Sequence, residues 1–116
     1  MSGVLDTDKL RIGNLVVDKQ VFAEVDKVTG LGPAYSSGAF DGILGVAWDS
    51  IAVDGVPSPI TNLYNAGELK KKEFAFFLGD EADGELVIGG IDKKHYKGPL
   101  TYIKLTSETL WQVNDK

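Results

Sequence analysis

Fourteen glycines cut this chain into short runs of Val, Ile, Leu, Phe and Tyr separated by turns rich in Gly, Asp and Pro, and that punctuation favours short strands over long helices. Strands are expected at 3–12, 14–25, 41–45, 73–78, 85–90, 99–105 and 109–113. Apolar and polar residues alternate from Leu15 to Phe22 and from Leu100 to Leu105, the pattern of half-buried antiparallel strands. One helix stands out. Ser58 offers an N-cap oxygen, Pro59 suits the first helical position, Ile60, Leu63 and Tyr64 form an apolar stripe, and Gly67 provides a stop. A further helical turn is expected around Asp92–Tyr96, and a mobile Gly- and Ser-rich connection from Gly30 to Gly38. The expected fold class is therefore all-β, mainly antiparallel, with one or two short helices.

Composition narrows the chemistry. Hydrophobic residues at 43% and charged residues at 25% are those of a globular chain, and no apolar run approaches the roughly 20 residues that span a bilayer. A chain of this size typically buries about two-thirds of its unfolded surface, so a core is possible in principle. The net charge of -5, with Lys70-Lys71-Lys72 as the only basic run, argues against nucleic acid and anionic membrane surfaces as partners. Without cysteine there is no disulfide and no thiolate–metal site. No secretory leader and no Asn-x-Ser/Thr acceptor is visible. Gly84 to Gly90 lacks the lysine and hydroxyl of a phosphate loop, and the carboxylates from Asp80 to Glu85 lack the alternating ligands of a calcium loop. His95, the only histidine, has no nucleophile motif beside it and reads as a surface residue. Trp48 and Trp111 read as packing residues. No metal ligand and no cofactor is assigned.

The order of motifs is more specific than any of them alone. Phe40-Asp41-Gly42-Ile43-Leu44-Gly45 follows Gln20-Val21-Phe22-Ala23-Glu24 and precedes Phe74-Ala75-Phe76-Phe77-Leu78. Gly84-Glu85-Leu86-Val87-Ile88-Gly89-Gly90-Ile91-Asp92, Tyr96-Lys97-Gly98-Pro99-Leu100 and Leu110-Trp111-Gln112-Val113 come next. In this order the chain resembles the middle third of a pepsin-like aspartic endopeptidase of the cathepsin D type. The resemblance implies part of a bilobal acid protease fold: 1–50 as the second half of the N-terminal lobe, 51–72 as a connection with a short helix, and 73–116 as interlobe sheet and the start of the C-terminal lobe. It also implies a secretory, vacuolar or lysosomal parent.

In that family two Asp-Thr-Gly triplets supply the aspartates that activate a water for attack on a peptide carbonyl. Neither triplet occurs here. Asp6-Thr7-Asp8 puts a charged side chain where the backbone must pack behind the carboxylate, and matches instead the family's strand entry, with Asp8 and Ile12-Gly13. The resemblance thus implies the segment between the two catalytic residues, with no catalytic residue of its own and no activity alone. It implies that Phe40 and Ile43 line the S1 and S3 side of the substrate cleft and that Leu110 lies near the primed subsites, where relatives carry an aromatic residue. Implied partners are a peptide or protein substrate and the flanking segments of the same fold. Open strand edges invite self-association, and a non-catalytic peptide-binding or interaction module is the alternative function.

Overall fold

The computed structural model describes residues 1–114, so the end of the 73–116 segment lies outside the described residues. Two antiparallel hairpins dominate. The first pairs β1 (Ser2–Ile12) with β2 (Leu15–Lys27) through a two-residue turn that brings Ile12 opposite Leu15. Gly13, at φ 58, takes the first turn position, where a hairpin matched to the twist of its strands needs a positive φ. The second hairpin pairs β3 (Phe74–Phe77) with β4 (Glu85–Ile88).

The strict alternation expected from Leu15 to Phe22 is broken, and the register explains why. Asp8 faces Gln20 while Leu10 faces Val17, so Lys9 alone stands opposite Asp18 and Lys19. This bulge shifts the pleat by one residue, and Val17 and Gln20, three apart, are both buried. Gln20 is satisfied there. Its amide donates to the carbonyls of Val21 and Pro57 at 3.0 Å each, and its oxygen accepts from Asn62 at 2.9 Å.

Asn62 belongs to α2 (Pro59–Asn65), which forms as its local signals direct. The Ser58 hydroxyl accepts from the Thr61 N–H at 3.3 Å, and Pro59 leads the first turn. At the other end Gly67 has φ 79, with Gly67 N–H donating to Tyr64 and Glu68 N–H to Leu63, the paired bonds of a Schellman stop. Ile60 and Leu63 face inward, but Tyr64 is exposed, so the buried stripe is narrower than expected. With Val17 and Leu69 these two make the buried core, against which Leu10, Leu15, Val46, Phe74 and Ile88 pack.

Three expected strands do not form. Residues 41–45, 99–105 and 109–113 are irregular, because a strand needs a partner for its N–H and C=O groups and none runs beside them among the described residues. The 30–38 connection, in contrast, carries α1 (Pro33–Ser37), one turn that Pro33 opens. The expected turn after Asp92 is present as a 3₁₀ turn, Lys93–His95.

The whole is open. Its accessible surface is 9480 Å², whereas a compact monomer of this mass exposes about 6,200 Å². Its radius of gyration is 16.3 Å, against about 13 Å for a compact domain of this length. About half of the unfolded surface is buried rather than two-thirds.

Candidate functional site

The FDGILG segment leads into the wall between two open, mostly apolar cavities. Ala47, Trp48, Asp49 and Ser58 line both. One cavity, of about 770 Å³, lies under the first hairpin and is walled by Leu10, Val21, Phe22, Ile43 and Val56. The other, of about 710 Å³, lies over the second hairpin and is walled by Phe74, Phe76, Val87, Tyr102 and Trp111.

The wall is braced from the chain's last described segment. The Trp111 indole N–H donates to the Val46 carbonyl at 2.8 Å, and Trp48 N–H donates to Thr109 at 3.0 Å. The Ser50 hydroxyl donates to the Glu108 carbonyl. Trp111 also lies 5.9 Å from Trp48 and meets Phe74 edge to face at 5.4 Å. Both tryptophans are therefore packing residues, as expected, yet both also line cavity surface.

Asp49 pins the wall to the helix. Partial burial pushes its carboxyl up, but hydrogen bonds from Thr61 and from the Ser58 N–H and hydroxyl, with the Lys72 charge, outweigh that and hold it below the usual carboxylate range. The Ser58 N–H contact is 3.2 Å.

The three residues implied as cleft-lining are placed differently from one another. Ile43, 74% exposed, lines the cavity under the first hairpin. Phe40 lines neither cavity and instead meets Tyr35 of α1 edge to face at 5.7 Å. Leu110 also lines neither, while its neighbour Trp111 lines the cavity over the second hairpin. Asp6 and Asp8 sit mid-strand on β1, each accepting the N–H of the next residue at 2.7 Å. Across the hairpin a side-chain hydrogen bond between Glu24 and Asp6 lowers the Asp6 carboxyl and raises that of Glu24, both on an exposed face.

Sequence reasoning missed His95. It is half-buried rather than on the surface, its ring stacked on Phe77 at 3.9 Å. Among the described residues, Glu85, Asp92 and His95 form a group with donors at metal-binding spacing. Separations of seven and three residues across a strand and a turn carry no familiar ligand pattern, so no local signal marks them.

An antiparallel β architecture with few short helices, built around the FDGILG wall, is the class of a pepsin-like protease fragment. The profile of the eukaryotic aspartyl protease family matches residues 1–116, and the chain belongs to that family. Vacuolar protease A of Aspergillus fumigatus is 44% identical over 98% of this chain and 29% of its own length. Cathepsin D of Clupea harengus is 38% identical, again over 98% of this chain and 29% of its own. Vacuolar aspartic protease of Candida albicans is 41% identical over 98% of this chain and 28% of its own. The chain thus spans about three-tenths of the length of these curated relatives. No helix among the described residues is long and apolar enough to cross a membrane.

Proposed function

We propose that this chain is the part of an aspartic endopeptidase that lies between its two catalytic loops, forming one wall of the substrate cleft and the support behind the first loop. The observation that carries this reading is the family match over all 116 residues of a sequence that holds no Asp-Thr-Gly triplet. In the parent enzyme, peptide hydrolysis requires two carboxylates close enough to share a proton, one acting as base toward water and the other as acid. This chain contributes neither of them, and two copies would still contain none.

In this reading 1–50 belongs to the N-terminal lobe, 51–72 connects, and 73–116 enters the interlobe sheet and the C-terminal lobe. Phe40 and Ile43 offer apolar surface to substrate side chains on the S1 and S3 side, and Leu110 near the primed subsites. Flanking segments of the same fold are the natural cover for the two cavities, whose openness supports the reading. The same openness favours the second reading, a non-catalytic module that binds peptide or protein in one of those cavities. Open strand edges make self-association its accompanying property.

The test is peptidase activity at acidic pH, with and without a statine-type inhibitor, for the purified chain and for the chain joined to its flanking coding sequence. Turnover is expected only in the joined protein, with an Asp-Thr-Gly triplet on each side. Inhibitor-sensitive turnover by the chain alone would overturn the proposal, and in-frame stops on both sides would favour the module.

A further inference from the structure

We propose that Glu85, Asp92 and His95 form a binding site for a divalent transition-metal ion of the Zn²⁺ type. The site lies on the second hairpin and is independent of the peptidase reading. Glu85 opens β4, Asp92 caps the 3₁₀ turn that follows it, and His95 closes that turn. The His95 Nε2 lies 3.5 Å from Glu85 Oε1 and 3.6 Å from Asp92 Oδ2. An ion bound tetrahedrally at about 2.1 Å from each donor requires donors about 3.4 Å apart. The two separations that involve the imidazole therefore already match the edges of such a polyhedron. The three donor atoms all lie within 4.8 Å of one another.

The state of the imidazole separates this group from an ordinary acidic patch. Its Nε2 is buried and has no hydrogen-bond partner among the described residues, although two carboxylate oxygens stand beside it. The ring cannot readily turn away, because it is stacked on Phe77 with planes 10° apart. Asp92 is held as firmly: its Oδ1 accepts the Lys94 N–H at 3.0 Å, which leaves Oδ2 for the ion. The three side chains are 21% to 38% exposed, so the group lies close to solvent even though Nε2 itself is covered, and an ion reaches it by displacing what covers it. Lys94 is the competitor, with its ammonium 3.5 Å from Asp92 Oδ2. It is 79% exposed and can swing into water when the ion enters.

One nitrogen and two carboxylate oxygens suit Zn²⁺ and neighbouring transition ions better than Ca²⁺ or Mg²⁺, which take all-oxygen shells. Binding would clamp the 92–95 turn to the start of β4 and stiffen one wall of the cavity over the second hairpin. The experiment is titration of the untagged full chain with Zn²⁺ at neutral pH, followed by calorimetry and by the imidazole ¹⁵N resonances. His95 is the only histidine, so those resonances have a single source. Expected are one ion per chain, a Zn²⁺-dependent shift at Nε2, no competition from excess Mg²⁺, and at least tenfold weaker binding in His95→Gln and in Glu85→Gln. An unmoved Nε2 resonance at saturating Zn²⁺ would overturn the site, as would equal Zn²⁺ affinity in Glu85→Gln. The resonance measurement uses the unsubstituted chain, so it decides the matter even where His95→Gln fails to fold.

Discussion

Replacing Leu63 by alanine is expected to bring the fold to the edge of unfolding, and the reason lies in how little else the core contains. Leu63 is 1% exposed and is the one fully buried large side chain among the described residues, packed with Val17, Ile60 and Leu69. Truncation removes three buried carbons at about 0.8 kcal/mol each. The cavity left behind raises the cost to about 3–4 kcal/mol, inside the range measured for buried leucines. A domain of ordinary compactness has roughly 5–15 kcal/mol to lose. This chain buries only about half of its unfolded surface, which places it at or below the lower end of that range. Leu63→Ala should therefore bring the folded and unfolded populations close to parity at 25 °C. Urea titration followed by far-UV circular dichroism and tryptophan fluorescence reads this directly. Val53→Ala is the control, because Val53 is 81% exposed and its truncation should stay within about 0.5 kcal/mol. An unfolding midpoint in Leu63→Ala indistinguishable from that of the parent chain would refute the assignment of the core to this cluster.

Two further outcomes follow from polar groups. Gln20→Met keeps the side-chain volume but strands the Pro57 carbonyl and the Asn62 amide, so a loss of about 1–3 kcal/mol in urea unfolding is expected; an unchanged midpoint would show that the amide ties nothing together. Asp49, held below the usual carboxylate range by its Thr61 and Ser58 hydrogen bonds against the opposing effect of burial, contributes stability that is present above the unfolded value near 3.8 and is lost as pH falls through the lower folded value. Asp49→Asn should flatten the acid limb of stability against pH below about pH 4 while lowering stability at pH 7, and an acid limb of the same slope in the variant would contradict this.

What could be read from the residues was whatever is decided locally. The cap at Ser58 and the stop at Gly67 each depend on a few adjacent residues, and α2 and the two strands on either side of Gly13 form as expected. The unformed strands at 41–45, 99–105 and 109–113 have adequate composition, but strand formation depends on a partner elsewhere in space. Alternation along β2 identified the strand and misjudged its faces, because a bulge is set by the pairing rather than by the residues that it displaces. The same limit applies to the sites. Ile43 lines a cavity, whereas Phe40 packs on Tyr35 and Leu110 lines neither cavity, placements that depend on three-dimensional packing. His95 was misplaced because its burial comes from Phe77, eighteen positions earlier on the paired strand.

The two tryptophans at the wall contribute to it in different ways. Trp111 and Trp48 both line the cavity over the second hairpin, but their indole N–H groups are in different states. That of Trp111 is satisfied by the Val46 carbonyl, whereas that of Trp48 is buried and has no partner among the described residues. A buried donor left unpaired costs about 1–3 kcal/mol. Trp48 borders both cavities, but its ring nitrogen has no surface open to either, so that cost is carried inside the wall, whereas the Trp111 N–H braces the same wall through Val46.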